Sequence, residues 1–136
     1  MAPRTFTLAE ANALLEEVRP LTERMVEHRR RLADAQARRA RTLEHISGNG
    51  GDVTPSELAE LVEEVEREAT AVAKAVRGLT ELGAQVKDLD AGLVDFPARR
   101  GDGEPVLLCW RLGEDEIAWW HSEEAGFGGR RPLSEL

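Results

Sequence analysis

The sequence predicts an α+β fold: a long antiparallel helical hairpin followed by a small antiparallel sheet packed on the start of the first helix. Three observations carry this expectation. Apolar residues recur at steps of three, four and seven over residues 8–35 and again over 58–82. Two helix starts are written as capping boxes, and a glycine-rich GNGGD separates them. From residue 84 the apolar runs become short and alternating, with turn-formers between them.

The first helix begins at Thr7, whose spacing to Glu10 lets hydroxyl and carboxylate each satisfy an otherwise unpaired backbone amide. Leu8, Ala11, Leu14, Leu15, Val18, Leu21, Met25, Leu32 and Ala35 then form one face. Pro20 lacks an amide hydrogen and disfavours helical geometry at Arg19, so the helix is expected to kink or break there and to resume until about Ile46. In the second helix Thr54 is the cap, Pro55 the first helical residue and Glu57 the closing acid. Leu58, Val65, Val72 and Leu79 recur at coiled-coil spacing, and Gly83 suits a left-handed stop.

Length decides what the first helix packs on. Residues 7–46 extend about 60 Å and residues 55–82 about 42 Å at 1.5 Å per residue. The second helix therefore cannot shelter the opening turns of the first. Leu8, Leu14 and Val18 need the C-terminal part as their partner, and Trp110, Trp119 and Phe127 are expected to pack beneath them. In that part QVKDLD, GLVDFPA, PVLLCWRL and EIAWWH read as three or four strands, with Pro97 and Pro105 at strand ends. Alternation places Val106, Leu108 and Trp110 on one face and Leu107, Cys109 and Arg111 on the other. The chain reads as one domain, 1–136, made of a hairpin (7–82) and a small β subdomain (84–136).

Charge narrows the function classes. The 136 residues carry a formal net charge of -8, which disfavours nucleic acid and anionic membranes as partners. Seven Arg between Arg24 and Arg41 face six Glu within residues 57–68, so this basic stretch is expected to be answered across the hairpin, Arg38 near Glu63 and Arg41 near Glu60. MAPRTFTLAE lacks the apolar core of a signal peptide, and no run of about 18 apolar residues occurs, so the expected location is cytoplasmic. A lone cysteine, Cys109, excludes an internal disulfide and reads as a buried, inert thiol. No phosphate-cradling loop, nucleophile elbow or dinucleotide fingerprint is present; no cofactor is evident, and a divalent metal is the one candidate.

The candidate site residues lie near the C-terminus. HSEEAGFGGRR sets His121 beside Glu123 and Glu124, ahead of a glycine-rich bend and Arg130. Imidazole with carboxylates can hold a transition metal or run acid–base chemistry, and Asp88 or Asp95 is the expected further ligand. Asp90 reads as a turn residue, and His28 as a half-buried packing residue on the helical stripe. Trp119 and Trp120 are adjacent on a strand and must point to opposite faces, so one joins the core. The other, with Arg130, forms a candidate contact surface.

FTLAEANALLEEVRPL, GAQVKDLDAGLVDFPA, LLCWRLGEDEIAWWH and AGFGGRRPL resemble the uncharacterised prokaryotic family catalogued as domain of unknown function 2203, over almost the whole chain. The resemblance implies a small stand-alone protein without an established activity, and so carries over no catalytic residue. The family is similar in having a histidine after the last aromatic strand and a GF-x-GR ending, here His121, Gly126, Phe127, Gly129 and Arg130. Ser122 and Glu123 depart from the family's acidic-then-apolar pair, which favours Glu124 over Glu123 as a ligand. The reading that asks for least is a protein-interaction or scaffold module that self-associates through its hairpin. The alternative is a metal-dependent enzyme or metal-binding protein centred on His121.

Overall fold

The computed structural model describes residues 4–49 and 53–136, with the side chains of Ser47, Asn49 and Phe127 excepted. Helix α1 spans Leu8–Asn49 and α2 spans Pro55–Glu81. A five-stranded antiparallel sheet follows in simple meander order: β1 Gln85–Asp88, β2 Leu93–Arg99, β3 Pro105–Arg111, β4 Trp119–Ser122 and β5 Arg131–Pro132. The GNGGD turn falls partly outside the described residues, while Gly48 and Asn49 extend α1 past its expected end.

Both capping boxes form. The Glu10 carboxylate accepts from the Thr7 amide and the Thr7 hydroxyl from the Glu10 amide, and Thr54 and Glu57 repeat the exchange. At the end of α2, Gly83 takes φ 96, and the amide of Ala84 donates back to the Leu79 carbonyl at 3.0 Å, which closes the helix.

Of the kink or break expected at Pro20, the break does not occur; α1 is continuous through it. Pro20 is exposed, so the carbonyl it leaves without an amide donor can be met by water. Two residues on, the fully buried Thr22 satisfies its hydroxyl by donating to the Val18 carbonyl at 2.8 Å. Gly92, in the β1–β2 turn, lies directly against this part of the helix. Its φ is 71, and a Cβ there would sit 2.9 Å from Leu112 and 3.0 Å from Val26, so neither the backbone conformation nor the space admits a side chain.

The hairpin has the register that the length argument requires. Leu21 lies on Gly78, His28 pairs with Glu68, and Leu32 and Ala35 pack with Val65. Arg38 pairs with Glu64 at 2.6 Å rather than with Glu63, one residue from the expected partner. The opening turns of α1 thus run beyond α2 and roof the sheet. Ala11, Leu15 and Val18 share one core with Val94, Phe96, Leu108, Trp110 and Trp120. Polar ties fix the contact. Asn12 Oδ1 accepts from the Ile117 amide at 2.8 Å, and Arg19 reaches the Asp115 carbonyl while lying over the Trp110 ring.

Two expectations about this core are corrected. Trp120, not Trp119, joins it, because β4 pairs Trp120 with Leu108 on the helix-facing side and Trp119 with Cys109 on the other. Leu8 is exposed, since the chain enters the sheet region through Phe6, whose amide donates to the Pro97 carbonyl. The side chain of Phe127 lies outside those described. Pro97 also sits inside β2 rather than at its end. Pairing with β1 stops at Asp95, so beyond that point β2 has a free edge on one side. The Pro97 carbonyl faces this edge, toward Phe6, and so does its absent amide hydrogen; the ladder to β3 loses nothing.

Candidate metal centre

The helices cover one face of the sheet, and the candidate site lies on the other. Asp95 stands opposite Cys109, which stands opposite Trp119, while His121 stands opposite Leu107 one step along. Directly paired residues share a face and alternate residues return to it, so the register brings Asp95, Cys109 and His121 together from three strands. Asp95, Cys109 and His121 are 1%, 0% and 2% exposed. One ligand atom from each lies within 4.8 Å of the others. Among the described residues this is the one group of three such side chains close enough to share an ion.

Both ring nitrogens of His121 face an oxygen. Nδ1 lies 2.8 Å from the Ser122 carbonyl, which can only accept, so this contact is a hydrogen bond when Nδ1 carries the hydrogen. Nε2 lies 2.9 Å from Asp95 Oδ2. With the one hydrogen of a neutral ring on Nδ1, a nitrogen lone pair faces the carboxylate oxygen, and a proton or a cation between them makes that contact attractive. The other carboxylate oxygen, Asp95 Oδ1, is buried without a hydrogen-bond donor.

Cys109 completes the group. Burial, then the charge of Asp95, pushes its thiol up from the ordinary 9.0 to about 12, while Arg130 pulls the other way through its charge and a hydrogen bond. Arg130 is itself held by Glu114 at 2.8 and 3.1 Å and lies over the Trp119 ring. Without a metal the thiol therefore stays protonated at neutral pH, in keeping with an inert cysteine. Because its folded-state value is raised, the unfolded chain loses the proton first. Stability should fall as pH rises from about 9 to about 12, by as much as about 1.4 kcal/mol per pH unit. Urea unfolding of metal-free protein across this range checks it. The loss should be absent from Cys109→Ala, and equal slopes in the two proteins would refute it.

A cleft of about 480 Å³ opens onto the group, with Asp95 and His121 in its lining. Of the residues expected at the site, Glu123 and Asp88 also line it. Asp88 is occupied as a turn residue. Its Oδ1 accepts from the amides of Asp90 and Ala91, bonds that hold its carboxyl below the usual range. Glu124 is exposed and stands outside both the group and the cleft lining. Asp90 turns away to pair with Arg29, and His28 bonds Glu68 on the hairpin. Trp119 is half-buried on the open face beneath Arg130, while Trp120 lies in the core with its indole donating to the Pro132 carbonyl.

The family model described as an uncharacterized conserved protein, DUF2203, matches residues 4–133. The chain belongs to this family. No curated protein and no solved structure matches it. The DUF2203 match spans both helices and the sheet up to the start of the last turn, so the residues of the site all lie within it. No helix among the described residues is long and apolar enough to cross a membrane.

Proposed function

We propose that this protein binds a divalent transition metal, zinc by donor preference, through Asp95 oxygen, Cys109 sulfur and His121 Nε2. The observation that carries this is the meeting of three buried donor atoms from three strands, with the far nitrogen of His121 seated on a carbonyl. When Nδ1–H donates to the Ser122 carbonyl, Nε2 offers a lone pair toward the buried carboxylate and thiol. Ligating histidines are oriented in this way, the second nitrogen donating to a carbonyl or carboxylate. A thiolate in the set disfavours magnesium and calcium, and a mixed N, O, S set suits zinc. Three protein ligands beneath an open cleft leave a coordination position for a further ligand, unlike the four-ligand structural sites.

Arg130 has a place in this reading. Metal binding would turn the thiol into a thiolate, and the guanidinium beside it would then hydrogen-bond the charged sulfur. Loading must also expel the proton that metal-free Cys109 holds, so affinity should rise with pH. Metal content of protein purified without chelator, repeated on His121→Ala, tests the proposal. Stoichiometric zinc in the wild type and little in the variant is the expected result; equal content in both would end it.

A second reading rests on a different place in the fold. Leu43, Ile46 and Val62 are exposed at the far end of the hairpin, beyond the reach of the sheet. They give an apolar tip through which two copies could associate as a homodimer, making the chain an interaction or scaffold module. Light scattering across a concentration series should then show mass rising with concentration, and Val62→Glu should abolish the rise. A constant monomer mass would exclude self-association.

A further inference from the structure

Resting on the metal reading, we infer that the cleft above the site takes a small organic anion, its charged group held by Lys87 and Arg111 and its short carbon body lying on Leu93 and Leu107. The two cations reach the cleft from different strands, β1 and β3. The register of β1 slips between Val86 and Asp88, so Lys87 is the extra residue of a bulge, a device that re-aims side chains at the rims of sites. Among the described residues neither the Lys87 ammonium nor the Arg111 guanidinium makes an ion pair or a side-chain hydrogen bond.

The acids that share the lining do not take this role from them. Asp88 has one oxygen committed to two backbone amides, although it also feels the charge of Arg111. Glu123 is exposed at the mouth. Leu93 and Leu107, buried at 8% and 5% exposure, supply apolar wall beside the metal ligands. A volume of about 480 Å³ lies in the range that holds small molecules rather than a protein loop. A guanidinium fork matches the two oxygens of a carboxylate or phosphate, and an ammonium adds a point charge. With a divalent ion opposed by the Asp95 carboxylate and the Cys109 thiolate, the floor of the cleft is close to neutral and no longer repels an anion.

The test uses protein loaded with cobalt(II), whose visible bands report the coordination sphere, titrated separately with butyrate and methyl phosphate. A saturable shift of the bands is expected with at least one of them, and the responding anion identifies the headgroup. Arg111→Gln and Lys87→Gln, both at exposed positions, should leave the starting spectrum unchanged and weaken anion binding at least about tenfold. Normal cobalt bands that respond to neither anion, or variants that respond as the wild type does, would overturn the anion site alone. Absence of any cobalt–thiolate band would overturn the metal reading, and this inference with it.

Discussion

Cys109→Ala is expected to lower zinc affinity by more than about 100-fold and to leave the metal-free protein folded, its stability changed by no more than about 1 kcal/mol. The two halves of this expectation have different origins. The sulfur is the softest donor of the three, and without it the remaining oxygen and nitrogen form a site of ordinary surface quality. In the metal-free chain, by contrast, the thiol is a small, neutral, buried group, and alanine fills most of its place. His121→Ala would also abolish binding, but it leaves the buried Asp95 carboxyl without its hydrogen-bond partner and should destabilise the fold by about 1–3 kcal/mol. Competition against a chelating dye measures the affinity, and zinc-dependent thermal unfolding reports the same loss. A Cys109→Ala protein that binds zinc as the wild type does would remove sulfur from the site.

Trp110→Ala should destabilise the protein by about 3–5 kcal/mol. Trp110 is wholly buried at the junction on which the architecture depends, where the start of α1 meets the middle of the sheet. Its indole donates to the Glu114 carbonyl at 3.0 Å, and Arg19 covers its face. Truncation opens a cavity there and leaves the Glu114 carbonyl to a single long contact from Arg19 at 3.4 Å. Trp119→Ala, on the half-buried opposite face, should cost no more than about 1 kcal/mol. Urea unfolding of both variants makes the comparison. Equal effects, or a small effect at Trp110, would mean that the helix start and the sheet do not share one core.

The hairpin was legible because its signals are local. Capping boxes at Thr7 and Thr54, and the seven-residue recurrence of Val65, Val72 and Leu79, depend on neighbours a turn or two away. The docking of α1 on the sheet was legible through length alone, since 42 residues of helix cannot be covered by 27. Strand register was not legible, and the corrections follow from that. Alternation said that one of Trp119 and Trp120 is buried, but only pairing with Leu108 or Cys109 says which. Strand β5 is two residues long and lies in a glycine-rich bend, too short to show a period.

The site was half legible for the same reason. His121 and Asp95 stand out as residue types, and both belong to the group. Glu123 and Glu124 are candidates through nearness to His121 in sequence, and Glu124 leads only through the departure from the family's pattern at Ser122 and Glu123, whereas the third member arrives from β3, twelve residues earlier. Cys109 was judged by its sequence neighbours, Leu108 and Trp110, which point to the opposite face of the sheet. Alternation had already placed Cys109 on the open face. Counting back from the β2–β3 turn, Arg99 opposite Pro105, would have set it across from Asp95.

Zinc-edge X-ray absorption on the purified, metal-loaded protein tests the central claim most directly, because it counts donor atoms of each kind around the ion. One sulfur at about 2.3 Å with nitrogen and oxygen neighbours at about 2.0–2.2 Å is the predicted first shell. A shell of light atoms only, or more than one sulfur, would contradict a centre built from Asp95, Cys109 and His121.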